Sequence, residues 1–349
     1  MIRSTQISIP TFVRIKPGTL DRLGEYASRI NFDSCILLTS EGLRAETLNR
    51  VRHSFELSKV KIVKEIAIEN SSAEQALQIF KDLPNGIKAI FGVGGGKALD
   101  VAKYVSFLSR LPYIAAPTAL SNDGFCSPQS SLEVDGKRRS LPATMPYGVI
   151  IDTEVCLQAP NYLWWSGIGD LSSKITAVYD WKLAYHKQGT FVDDFAALLS
   201  DATVFQLMSR KEKDLESIQL LGTALMLNGI AMEICGSSRP ASGSEHLLSH
   251  ALDIVSKKPR LHGIQVGVAA YIMSILQQQG TEHINKLFQK TGFWQAFDEE
   301  KLLKSEWISA FELAPTIKDD FYTILSEKDF RQEFKELLDT DPKLKNIFL

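Results

Sequence analysis

Cysteine is scarce: of 349 residues only Cys35, Cys126, Cys156 and Cys235 carry a thiol, and they stand far apart. That spacing excludes a CxxC metal site and a dense disulfide framework, and it points to a reducing compartment. An excess of one charge is also missing, since 39 Lys and Arg face 41 Asp and Glu for a formal net charge of −2. Nucleic acids are held by concentrated cations that replace counterions, so no nucleic-acid partner is expected. Long apolar runs are absent as well. The best, residues 263–276, is interrupted by Gln265, whereas crossing a bilayer takes about 20 apolar residues. Residues 1–10 (MIRSTQISIP) lack the apolar centre of a secretory signal. The expectation is a cytoplasmic protein without a membrane partner.

What is present is an ordinary globular balance, 44% hydrophobic and 23% charged, at a length suited to two domains. The first part alternates short β-branched runs with helical stretches. Strands are expected at 34–39 (SCILLT), 59–68 (KVKIVKEIAI), 88–93 (KAIFGV), 113–116 (YIAA) and 148–152 (GVIID), with helices over 43–55, 72–83 and 97–108. Successive apolar residues suit parallel strands covered on both faces, and the alternation implies βαβ units. Asp135-Gly136 within 130–141 marks a β-hairpin, because a type I′ turn needs positive φ at both central positions. Apolar residues then recur three and four apart over 196–208, 218–235 and 263–279. The expected organisation is an α/β domain over 1–155 and an all-α domain over 156–349, without repeats or a long linker.

Between a strand and a helix stands Gly92-Val93-Gly94-Gly95-Gly96-Lys97-Ala98-Leu99-Asp100. Glycines there let a backbone approach a diphosphate and leave N–H groups at a helix N-terminus, where the dipole favours anions. It is neither a Walker A loop, lacking Ser or Thr after Lys97, nor a regular GxGxxG. A tight turn without a ligand is the plain alternative. The segment Pro117 to Pro128 follows the next strand, at the edge where parallel sheets bind ligands, although its composition also suits a simple loop.

Histidines are few, yet three of six cluster: His246 and His250 at i and i+4, then His262 followed by Gly263. Clustered imidazoles suit a divalent transition metal, with a carboxylate completing a three-ligand site that leaves room for substrate. Asp170, in GIGDLSSK, is the candidate, at an expected glycine-flanked helix start where it would also serve as an N-cap. Hydrogen-bonded structural rings are the competing reading of the histidines. His53, His186 and His283 read as surface or structural, and Trp164-Trp165 as packing.

Together GVGGGKALDVAKY, PTALSNDGFCSPQSSL, GIGDLSSK, RPASGSEHLLSH and LHGIQVGVAAY resemble, in that order and over nearly the whole chain, the sn-glycerol-1-phosphate dehydrogenase group of the glycerol dehydrogenase and iron-containing alcohol dehydrogenase superfamily. The resemblance implies a dehydroquinate synthase-like architecture, with a dinucleotide-binding domain, a helical domain and one divalent ion (Zn, Fe or Ni) in the cleft between them. It implies Asp170, His246 and His262 as metal ligands. His250 and Asp123 match positions lining the substrate, and Lys174 lies in a matching motif as a substrate contact or a structural ion pair. Gly94, Gly95, Gly96, Lys97 and Asp100 match the diphosphate loop; Thr118, Ser121 and Ser127 match further nicotinamide cofactor contacts. Ser40 stands where NAD-preferring members carry an acid, so NADP is tolerated, while neighbouring Glu41 could restore NAD preference; the cofactor is NAD or NADP.

The implied activity is hydride transfer between NAD(P)H and dihydroxyacetone phosphate, giving sn-glycerol 1-phosphate. Alternatives are a dehydrogenase of glycerol, another polyol, a hydroxyalkyl phosphonate or an aminocyclitol; a dehydroquinate-synthase-like lyase; or a non-catalytic binding protein of the same fold. Lys137-Arg138-Arg139 at the hairpin is either a solvated turn or a source of phosphate contacts. A homo-oligomer is expected.

Overall fold

The computed structural model describes residues 7–210 and 212–349; the leader reading of residues 1–10 therefore falls largely outside it. Eight strands are present among the described residues: β1 (Phe12–Lys16), β2 (Ser34–Ser40), β3 (Lys61–Ile68), β4 (Ala89–Gly94), β5 (Tyr113–Pro117), β6 (Gln129–Val134), β7 (Lys137–Pro142) and β8 (Gly148–Asp152). Six form one parallel sheet in the order β1-β8-β5-β4-β2-β3. The central strands β2, β4, β5 and β8 are buried almost throughout, which accounts for their continuous apolar runs. β6 and β7 pair antiparallel across Asp135 and Gly136, both at positive φ (51° and 71°).

The edge strand β1 was not among the expected elements. Its sequence FVRIK mixes cations with apolar residues, and it pairs in parallel with β8 more than a hundred residues later. The strand expected from Lys59 begins instead at Lys61, because Lys59 takes a left-handed φ of 55° on leaving the helix Ala45–Leu57.

The chain divides into two compact units, residues 1–159 with 214–233, and residues 160–213 with 234–349. A single cut near 155 does not describe this division. Most of the helix Leu215–Cys235 returns to the first unit, where a Cβ at Gly229 would overlap the Cys126 carbonyl and one at Gly222 would lie 2.9 Å from Ile151. This is the one helix among the described residues long and apolar enough to cross a membrane, and 61% of its apolar window is buried inside the protein.

In the second unit, the helices Asn161–Gln188 and His262–Leu276 pack at unusually close range. A Cβ on Gly169 would overlap the Gly263 carbonyl, one on Gly263 would overlap the Ser166 carbonyl, and one on Gly267 would lie 2.7 Å from Gly169 Cα. Hydrogen side chains at these positions let the two backbones touch. Asp170 therefore sits well inside a continuous helix that begins at Asn161, not at a helix start. Its flanking glycines serve the crossing and do not break the helix.

Candidate active site

The crossing brings Asp170 beside His262, the first residue of its helix, while the helix Ser244–Val255 supplies His246. His246 Nε2 lies 3.8 Å and His262 Nε2 4.0 Å from Asp170 Oδ1. One ligand atom from each residue lies within 4.8 Å of the others. A tetrahedral ion with bonds of about 2.1 Å would separate its ligands by roughly 3.4 Å, so each imidazole closes on the aspartate by several tenths of an ångström and the widest pair by up to about 1.4 Å.

The outer faces of both imidazoles are engaged. His246 Nδ1 lies 2.8 Å from Glu245 Oε1, and His262 Nδ1 lies 3.4 Å from Ser249 Oγ. With Nδ1 turned outward on each ring, both Nε2 atoms face the carboxylate, as metal-binding histidines require. The donor set of two imidazoles and a carboxylate thus fits a divalent transition ion.

His250 completes a three-ring cluster, with centroids 6.4 Å from His246 and 5.9 Å from His262. Its side chain is 39% exposed and its Nδ1 faces Asp253 at 3.9 Å. Lys174 is fully buried, with Nζ 3.5 Å from Asp170 Oδ1 and 3.3 Å from the Ala241 carbonyl. That burial puts its charge behind the aspartate.

Glu245 adjoins His246 in SGSEH, where no local signal distinguishes it from an ordinary solvated glutamate. It is fully buried and accepts from Gly243 N (2.6 Å) and Thr176 Oγ1 (2.8 Å) besides facing His246. Burial pushes its carboxyl above the usual range, opposed by these hydrogen bonds and by the Lys174 charge. Asp180 accepts from Ser244 N, Ser244 Oγ and Ile324 N, and burial together with the Glu245 charge pushes it up to about 7.

In the first unit, the glycine loop lies where the strand order turns back between β2 and β4, the topological switch point of an open parallel sheet. Gly94 has a φ of +145°, and a Cβ there would meet Ser40 Cβ at 2.8 Å. Gly95 N donates to Ser40 Oγ at 2.8 Å, so this hydroxyl braces the loop. A Cβ on Gly96 would meet nothing within 4 Å, and one on Gly95 only Ser40 Oγ at 3.9 Å. The loop thus presents open space before the first turn of the helix Gly96–Ser109, whose initial N–H groups have no intrahelical acceptors. That is a cradle suited to a diphosphate.

The remaining candidates have varied settings. Lys97 is exposed, with Nζ 3.5 Å from the Glu69 carbonyl. Thr118 N donates to the Gly94 carbonyl, joining the two loops. Asp123 opens a short 3₁₀ helix, Asp123–Cys126, and Ser121 lies just before it; both are half-buried. Ser127 is buried and donates toward the Gly124 and Gln129 carbonyls. Asp100 is buried against Lys103 Nζ at 3.3 Å; burial raises its carboxyl, opposed chiefly by Lys103 and Arg138. The side chains of Asp100 and Ser127 therefore shape the loop region from within.

Residues 14–160 match the family described as iron-containing alcohol dehydrogenase. In fold, the chain is similar to the crystal structure of glycerol dehydrogenase from Schizosaccharomyces pombe, with a TM-score of 0.78 at 17% identity over 98% of this chain and 92% of that one. It is 34% identical over 340 residues to the glycerol-1-phosphate dehydrogenase (NAD(P)+) of Aeropyrum pernix, spanning 95% of this chain and 96% of that protein. It is 38% identical over 296 residues, 82% of each chain, to the enzyme of the same name from Pyrococcus horikoshii. The class is thus that of the iron-containing alcohol dehydrogenases. Within it, this chain belongs to the glycerol-1-phosphate dehydrogenase family.

Proposed function

We propose that the protein is a metal-dependent oxidoreductase that transfers hydride between NAD(P)H and dihydroxyacetone phosphate, forming sn-glycerol 1-phosphate. The observation carrying this reading is the convergence of Asp170, His246 and His262 from three helices of one unit. The relatives' names, over nearly the full chain, support the substrate and the cofactor.

When bound, the ion supplies a Lewis acid and the nicotinamide a hydride, which is the chemistry that interconverts a ketone and a secondary alcohol. Asp170, His246 and His262 would hold the ion, with Lys174 balancing the aspartate from behind. His250, partly exposed and a turn from His246, is assigned to hydrogen-bond a substrate hydroxyl and move its proton at the imidazole. Asp123 is assigned to a second substrate hydroxyl. The Gly94–Gly96 turn, braced by Ser40, would seat the diphosphate, with Lys97, Thr118, Ser121 and Ser127 around it. Asp100 would act through Lys103 on the shape of that pocket. The absence of a carboxylate at position 40 supports acceptance of NADP as well as NAD.

For the phosphate we assign a cation of the β6–β7 hairpin. Lys137, Arg138 and Arg139 are all exposed; Arg138 Nε donates to Ser131 Oγ at 2.6 Å, and the assignment therefore falls to Lys137 or Arg139. Replacing either by Gln should raise the Michaelis constant for the phosphorylated ketone about tenfold, as expected for a charged hydrogen bond; unchanged constants for both would reject this assignment. All four cysteines are buried and unbridged, which supports a reducing, cytoplasmic setting.

The deciding experiment is metal analysis of the purified protein combined with NAD(P)H oxidation on dihydroxyacetone phosphate and on dihydroxyacetone. The reading expects a stoichiometric Zn, Fe or Ni ion and preference for the phosphorylated ketone. Preference for the unphosphorylated ketone indicates a glycerol dehydrogenase, and turnover without net nicotinamide oxidation indicates a lyase.

A further inference from the structure

We infer that Glu245 is a positioning residue: its buried carboxylate accepts the Nδ1 proton of His246 and so fixes the tautomer whose Nε2 lone pair faces Asp170 and His262. The inference rests on the ion-binding reading above and assigns a role to a residue outside the ligand triad.

Three donors converge on this one carboxylate. Oε1 lies 2.6 Å from Gly243 N and 2.8 Å from His246 Nδ1, while Oε2 lies 2.8 Å from Thr176 Oγ1. Thr176 Oγ1 also approaches the Ser173 carbonyl at 3.0 Å, so the Glu245 contact is the shorter of its two. A carboxylate surrounded by donors is an acceptor on both oxygens, and Nδ1 facing such an acceptor carries the proton. Nε2 is then left unprotonated, the form that binds a metal.

The local sequence is built for this arrangement. Glu245 lies in the first turn of the helix Ser244–Val255, where the helix dipole favours an anion. Its side chain folds back over the helix start only because residue 243 is glycine: a Cβ there would meet Glu245 Oε2 at 2.9 Å and Asp180 Oδ2 at 2.7 Å. Asp180 grips Ser244 through both its N–H and its hydroxyl. Two buried carboxylates thus immobilise the turn that delivers His246. The imidazole has little freedom to rotate or to exchange tautomers, which is the condition for a preorganised ligand.

The test uses the full chain and Zn²⁺ alone, without substrate or nucleotide. Affinity is measured by competition with a chromogenic chelator for the wild type and for Glu245→Met, which keeps the length of the side chain but removes the acceptor. A loss of about 10–100-fold is expected, the usual effect of removing an outer carboxylate from a ligand histidine. Thermal melting establishes that the variant is folded. Affinity within about twofold of wild type in a folded variant overturns the inference while leaving the ion reading intact. A wild type that binds no ion overturns both. A second readout does not depend on the variant folding: ¹⁵N chemical shifts of the His246 ring in the metal-free wild type should show the proton on Nδ1, and a ring protonated chiefly on Nε2 overturns the assignment.

Discussion

At the residue scale, the second unit withdraws three carboxylates, Asp170, Asp180 and Glu245, from water. Asp180 is pushed up to about 7 by burial and the nearby Glu245 charge, against about 3.9 for an unfolded aspartate. The folded state therefore holds this proton more tightly than the unfolded one. Its contribution to stability is fully present below about pH 4 and is lost as the pH rises through about 7. Asp180→Asn should flatten the fall in melting temperature between pH 5 and pH 8 relative to wild type. Parallel pH profiles for the two proteins would show that Asp180 does not titrate there. The cluster of histidines was visible in the sequence because imidazoles are rare in this chain. Glu245 carries no such signal, since a glutamate beside a histidine is ordinary and its side chain folds back on Gly243 only in three dimensions.

At the scale of elements, two devices hold the candidate residues in place. The first is the glycine crossing of the helices Asn161–Gln188 and His262–Leu276. Gly263→Ala inserts a methyl group against the Ser166 carbonyl and should cost about 1–3 kcal/mol through overpacking. It should also weaken Zn²⁺ binding by moving His262 away from Asp170; a melting curve and a metal titration check the two effects separately. The second is Lys103, a fully buried amine that donates to the Gly124 carbonyl and toward Ser127 Oγ while paired with Asp100. It ties the helix Gly96–Ser109 to the loop that carries Asp123. Lys103→Met should destabilise the fold by about 3 kcal/mol, the order expected when a buried ion pair loses one partner. Chemical denaturation measures this, and a loss below about 0.5 kcal/mol would show that the amine is not a tie.

At the scale of the whole molecule, the parallel sheet and most helices were legible because their signals are local. Strands β2, β4, β5 and β8 announce themselves as apolar runs, and Asp135-Gly136 marks its own hairpin. β1 was hidden because its pairing with β8 is distant in sequence and FVRIK lacks a clear alternation. The helix Leu215–Cys235 was visible as a helix, but periodicity does not say which unit covers its apolar faces.

All three proposed ligands belong to the unit formed by residues 160–213 and 234–349, and none comes from the glycine-loop unit. On the proposed assignment, charging with metal and loading with nucleotide should be separable events. Protein produced under metal starvation should accept its ion afterwards, in the absence of any dinucleotide, so the supply of metal can govern how much competent enzyme exists independently of how much chain is made.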